Sequence, residues 1–217
     1  MNELFPILAI ETSGELCSAA VMMNENVYAE FNIMKKHVHS EKLLPVIQNL
    51  LTETDITAKD LKTVAVSMGP GSFTGLRIGL AAGKGIALGS ECKICPVPTF
   101  DAAAFGIALH LNPGDEFSIV VNTNIEEVYI SDFKVNENIY GRKSETRLVK
   151  KVDLETELSG KNNIFGDVKS IENIKPLNIN SINIAKWTYF FGKDLLISDF
   201  DLLEPSYFKN FVARIKK

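Results

Sequence analysis

A chain of 217 residues is long enough to bury a sizeable core, either as one domain or as two modest lobes. Hydrophobic residues make up 46% and charged residues 23%, and the net charge of −4 excludes a surface that grips nucleic acid through charge alone. Three cysteines (Cys17, Cys92 and Cys95) build no disulfide framework, Met1-Asn2-Glu3-Leu4 opens no secretion signal, and no run nears the ~18 apolar residues of a membrane span, so a cytoplasmic protein is expected.

Taken in chain order, Phe5 to Ile10, Cys17 to Met23 and Val27 to Ile33 read as three strands. Tight turns at Glu11-Thr12-Ser13-Gly14 and Asn24-Glu25-Asn26 separate them, which predicts an antiparallel meander. From Ser40 the period changes: Leu43, Leu44, Ile47, Leu50 and Leu51 fall on one stripe of a helix that stops near Asp55. Thr57-Ala58-Lys59-Asp60 has the pattern of a capped short turn. A buried strand over 61–68, a helix over 73–88, a strand over 94–97 and a helix over 99–109 complete the first half. The second half repeats the order without repeating the residues. Strands are expected over 117–121, 128–133 and 139–148, then a short helix over 152–158, a strand over 163–166 and a helix over 182–195. Meanders that continue into alternating helix and strand give mixed sheets covered by helices. Two such α/β lobes in tandem, 1–110 and 111–217, are the layout of the actin, sugar kinase and Hsp70 superfamily, whose lobes are RNase H-like.

The sharpest local feature is Ser67-Met68-Gly69-Pro70-Gly71-Ser72-Phe73-Thr74-Gly75-Leu76-Arg77-Ile78-Gly79. Gly69 and Gly71 allow a tight strand-to-helix turn, and Ser72 or Thr74 can cap the helix that follows. Free N–H groups at such a helix start make Gly69, Gly71, Ser72 and Thr74 a candidate anion contact. The spacing is neither that of a P-loop nor that of a dinucleotide fingerprint. Within the helix, Gly75, Gly79 and Gly83 recur every four residues at a cost of roughly 1 kcal/mol each relative to alanine. The row predicts a smooth face that another backbone approaches closely, whether a helix of the same lobe or another subunit.

Four segments carry a resemblance: Leu8 to Ser13, His39 to Pro45, Gly69 to Gly79 and Pro98 to Ala102. Together with Glu127-Val128-Tyr129 and Glu204-Pro205-Ser206-Tyr207 they resemble the TsaB (YeaZ) family, densely over the first half and thinly over the second. The resemblance implies the two-lobed actin-like fold and a role in making threonylcarbamoyladenosine in tRNA. It implies a non-catalytic scaffold that pairs with the catalytic paralogue TsaD, joined by the ATPase TsaE, with tRNA contact indirect and a homodimer when the partner is absent. Pairing through the two N-terminal-lobe helices would place His39, Leu43, Leu44, Ile47, Gly75, Arg77, Gly79, Leu80 and Gly83 at the interface. Glu11, Thr12 and Ser13 would then be a vestigial phosphate turn.

The same residues bear on whether the chain has chemistry of its own. A metal site of the TsaD type needs two histidines one helical turn apart, but His37 and His39 are two apart, and His110 reads as a helix-end residue, so no metal and no cofactor are expected. An actin-like ATPase needs an acidic residue in the first turn of each lobe. Glu11 with Gly14 serves in lobe one, whereas Asn122-Thr123-Asn124-Ile125 offers none in lobe two, where a typical family member has Asp and Arg at positions 122 and 124. No two glycines are adjacent anywhere, so the adenosine-clasping pair is missing. A free-standing nucleotide-dependent transferase or hydrolase is the alternative reading. Cys92 and Cys95 read as buried thiols, Arg77 as a charge for a partner carboxylate or a phosphate, and Trp187, Tyr189, Phe190 and Phe191 as packing of the last helix into lobe two. The basic stretch Phe208 to Lys217 reads as a solvated helix or tail.

Overall fold

A computed structural model of the chain describes residues 3–169 and 171–206. The meander is present: β1 (Ile7–Glu11), β2 (Leu16–Met22) and β3 (Tyr28–Met34) pair antiparallel. Helix α1 (His39–Glu53) leads to β4 (Thr63–Ser67), α2 (Phe73–Ser90), β5 (Lys93–Val97) and α3 (Thr99–Ala108). β4 joins β1 in parallel and β5 extends the sheet, giving the order β3-β2-β1-β4-β5. β1, β2 and β4 are buried on both faces, which is why their apolar runs do not alternate.

The second sheet repeats this topology with β6 (Glu116–Asn122) in the place of β1. β7 (Glu127–Asn136) pairs antiparallel with it, and β10 (Ile164–Gly166) and β11 (Ile174–Pro176) continue in parallel on the other side. The single strand expected over 139–148 is two, β8 (Ile139–Arg142) and β9 (Arg147–Lys150). Both pair with β7: β8 with its last residues, Phe133 to Asn136, and β9 with its first, Glu127 to Ile130. Lys143 and Ser144 make the break, their backbone N–H groups donating to Asp132 O. α4 (Leu154–Leu158) covers one face of this sheet through Leu154 and Leu158.

The layers therefore run helix, sheet, helix, sheet, helix. α1 and α2 cover the outer face of the first sheet, where Leu43, Ile47, Leu50 and Leu80 pack on Leu8, Ile10, Val64 and Val66. α3 fills the space between the sheets, with Ala102 and Phe105 facing the first and Phe100, Ala104 and Ile107 facing the second. α5 (Ser181–Phe191) corrects one expectation. It does not pack into lobe two but returns to the first sheet, where Ile182, Ile184, Ala185 and Trp187 join Ile7, Ala9, Ala20 and Met22. It ends at Gly192, before the expected Leu195. The chain then stays on the first lobe: Ile197 bridges to Ile94, Phe200 is buried in the α1–α2 core, and Ser206 N donates to Met68 O at 2.8 Å. The tail 208–217 lies outside the described residues.

Candidate functional site

The expected vestigial turn and the glycine loop form one packed corner. β1 ends at Glu11, β4 ends at Ser67, and the two strands are hydrogen-bonded neighbours. Ser72 N donates to Ser13 O at 2.7 Å, Thr12 Oγ1 donates to Gly75 O at 2.8 Å, and Ser72 Oγ caps α2 by accepting from Gly75 N at 3.2 Å. Gly69 takes φ +109°, a left-handed conformation that glycine alone adopts readily; its N–H donates to Thr99 Oγ1 at 2.9 Å. A Cβ on Gly71 would stand 2.5 Å from Ser13 Cβ, and one on Gly75 or Gly79 would collide with Thr12. Of the four residues expected to contact an anion, Gly69 and Ser72 have their N–H groups engaged within the chain, donating to Thr99 Oγ1 and Ser13 O; Ser72 and Thr74 are exposed at the helix start.

This geometry decides between the two readings of the glycine row. Gly75, Gly79 and Gly83 are buried against the chain's own β1–β2 turn and β4, where a Cβ on Gly83 would lie 2.6 Å from Val66 Cγ2. The neighbour they admit is the sheet beneath them, so the expectation that they form a ridge for another subunit is corrected. His39, Leu43, Ile47 and Leu80 are likewise buried in the lobe. Burial lowers the pKa of the His39 imidazole, and its Nε2 lies 3.3 Å from Leu16 O, an ordinary core arrangement. Of the expected interface set, Leu44 (58% exposed) and Arg77 face outward, Arg77 lying 4.5 Å over the Phe73 ring. Beside Leu44 runs an apolar groove of about 560 Å³ between α1, the turn at 55–58 and Ile86 of α2, bordered by Gln48, Leu51 and Ile56.

Glu11 is fully buried. Its Oε1 accepts from Ser13 N, while Oε2 and the neighbouring Ser67 Oγ have no hydrogen-bond partner. Burial pushes the Glu11 carboxyl up to about 7, against smaller opposing effects from Ser13 and Ser67. The corresponding turn of the second lobe is not without an acid, as its own residues suggested. Asp167, just past β10, accepts from Asn122 N at 2.7 Å and from Asn122 Nδ2 at 3.0 Å, and burial together with the charge of Glu15 raises its pKa. Asp167 was not legible as a site residue; Gly166-Asp167 at the end of a short strand is the only signal it leaves.

Between the lobes lies a second cavity, about 390 Å³, reached by Met68, Gly69, Pro98, Glu145 and Thr146. One wall is a network across the lobes: Arg142 of β8 pairs with Asp101 of α3, Tyr140 OH donates to Asp101 Oδ1 at 3.2 Å, and Trp187 Nε1 donates to Tyr140 OH at 2.9 Å. Arg142 also donates to Ser131 Oγ and Thr146 Oγ1. His37 precedes α1 at φ 60° and His110 follows α3, so neither joins a cluster; no group of three or more His, Cys, Asp or Glu suited to a metal ion occurs among the described residues. Cys17 and Cys95 are buried and Cys92 half-buried, all unpaired, with burial raising each thiol and Cys95 reaching about 11. No helix among the described residues is long and apolar enough to cross a membrane.

Against known proteins, residues 32–155 match the family model of TsaD, tRNA N6-adenosine threonylcarbamoyltransferase. The chain is 34% identical over 148 residues to the tRNA threonylcarbamoyladenosine biosynthesis protein TsaB of Escherichia coli K12, a stretch covering 68% of this chain and 63% of that protein. It is 34% identical over 142 residues to the protein of the same name from Buchnera aphidicola subsp. Schizaphis graminum, covering 64% and 67% of the two chains. The match thus spans somewhat under two thirds of the Escherichia coli relative's own length. In fold, the structure of YeaZ from Pseudomonas aeruginosa superposes with a TM-score of 0.75 at 17% identity, over 93% of this chain and 98% of that one.

Proposed function

The chain belongs to the TsaB (YeaZ) family, kin to the threonylcarbamoyltransferase TsaD, and from that premise we propose that it serves tRNA threonylcarbamoyladenosine biosynthesis as a non-catalytic subunit that binds and activates TsaD. The observation that carries this reading is the division of the α1–α2 pair into two faces. The inner face is filled by the lobe's own sheet, and the outer face leaves an apolar groove beside an exposed Leu44. An apolar groove between two helices is a natural seat for a helix of a partner. TsaE joins as the ATPase, tRNA reaches this subunit only indirectly, and a second copy takes the same face when TsaD is absent. The packed corner at Glu11, Thr12 and Ser13 supports the absence of chemistry, because the backbone of 71–75 occupies the space beside that turn.

The alternative, a free-standing nucleotide-dependent transferase or hydrolase, draws on the interlobe cavity. That cavity's arginine is already paired with Asp101, and Glu145 and Glu204 line it as well, an unfavourable setting for a polyphosphate. Co-purification with TsaD separates the two readings. Wild-type chain should retain TsaD and Leu44→Arg should lose it by at least tenfold with an unchanged circular dichroism spectrum. Equal retention by the two proteins would remove the groove as the docking face, and ATP hydrolysis by the isolated wild-type chain would favour the enzyme.

A further inference from the structure

Glu11 has no part in the partner-binding reading, yet it is a carboxyl with no exposed surface whose Oε2 is left without a partner. Beside it, on the adjacent strand, Ser67 Oγ is equally buried; it makes no hydrogen bond of full geometry, yet its hydroxyl lies close enough to favour the ionised carboxyl weakly. An ionised carboxylate in that position would be a buried charge with half its acceptor capacity unmet, which is costly; the neutral acid is far less so. The same residue organises the corner. Its Oε1 holds Ser13 N, Ser13 O holds Ser72 N, and Thr12 Oγ1 holds Gly75 O, so the seat of the α2 start on the sheet runs through the Glu11 turn.

The charged groups on the surrounding elements have other contacts. Glu30 of β3 accepts from Ser18, Ser181 and Ile182 N, Asp101 of α3 pairs with Arg142, and Lys84 of α2 donates to Asp201 O. Lys186 of α5 lies over the Tyr28 ring, and Arg77 over Phe73. Glu15, in the turn after Glu11, is salt-bridged to Lys36.

We propose that Glu11 makes the seating of the β4–α2 loop proton-linked: the closed corner holds the neutral acid, and ionisation favours a locally open form in which 68–75 lifts from the Glu11–Ser13 turn and water reaches the carboxylate. The sign follows from linkage. With a closed-state pKa of about 7 and an ordinary value of 4.5 when open, opening is least favoured in acid, rises with pH and levels off above 7. Between pH 5 and pH 7 the population of the open form should rise roughly thirtyfold.

Hydrogen exchange of the full chain, corrected for the intrinsic pH dependence of exchange, reads this directly. The amides of 68–75 in wild type should exchange roughly thirtyfold faster at pH 7 than at pH 5, while those of β7 stay constant. Glu11→Gln, a neutral side chain of the same shape, should abolish the dependence. Ser67→Ala keeps the carboxyl but removes a hydroxyl that favours its ionised form, so it should move the plateau to higher pH. A flat wild-type profile, or a pH dependence that survives in Glu11→Gln, would overturn the proposal; if Glu11→Gln fails to fold, a Ser67→Ala plateau that does not move would do so.

Discussion

At the scale of single residues, the glycines and Glu11 set the character of the first lobe. Placing a methyl group on Gly75 or Gly79 forces it into Thr12, so Gly75→Ala and Gly79→Ala should each destabilise the chain by about 1–3 kcal/mol in urea denaturation, despite alanine's better helix propensity. Gly79→Arg should then fail by unfolding rather than by losing a partner. Glu11→Gln should stabilise the chain in a pH-dependent way. A carboxyl that titrates at about 7 when folded and 4.5 when exposed favours folding least where it must ionise. Relative to wild type, the gain from Glu11→Gln should therefore be larger at pH 8 than at pH 4, by on the order of 3 kcal/mol. Equal gains at the two pH values would show that the buried acid carries no linkage. The glycine spacing was legible in the sequence as a close approach, but not the identity of the neighbour. A row at four-residue steps marks one face of a helix and says nothing of whether a sheet or another subunit lies against it. The acid Asp167 was invisible for a related reason: it reaches the Asn122 turn from the end of a strand, 45 residues away.

At the scale of elements, periodicity located what packs on a continuous stripe and missed what bends. α1 and α2 emerged with nearly their observed bounds because their apolar residues repeat at three- and four-residue steps. β8 and β9 merged into one expected strand because the turn between them, Lys143 to Thr146, carries no glycine or proline. β11 is three residues long, at the sheet edge and ending in Pro176, too short to show a period. The amphipathic pattern of α5 gave its existence and not its destination. It belongs to the first sheet, yet Trp187 reaches Tyr140 of the second, so the Asp101–Arg142–Tyr140 network ties β8, α3 and α5 together. Arg142→Leu should remove hydrogen bonds to a charged group and lower stability by about 2 kcal/mol. Trp187, the only tryptophan, should report the change as a shift in its fluorescence; an unchanged spectrum and unchanged stability would mean that apolar packing of α3 alone holds the lobes.

At the scale of the whole molecule, the same topology is used twice, β3-β2-β1-β4-β5 and β8-β7-β6-β10-β11, with the helix α3 shared between the copies. That repetition was legible as an order of elements without any identity between the halves, because a fold is set by the alternation of strand and helix periods more than by particular residues. An ATPase of this plan needs an acidic residue in the first turn of each lobe. Here one turn is packed beneath the 69–75 backbone and the other is held by Asp167, while the outer groove on α1 and α2 remains apolar. These features together support a protein that acts through its surface. The most direct test is reconstituted threonylcarbamoyl transfer to tRNA by TsaD and TsaE, with this chain titrated in as wild type and as Leu44→Arg. The account predicts that wild type raises turnover at least tenfold to a plateau, that Leu44→Arg leaves it at the level without the chain, and that the chain alone hydrolyses no ATP. Full turnover without the chain, or equal stimulation by Leu44→Arg, would contradict it.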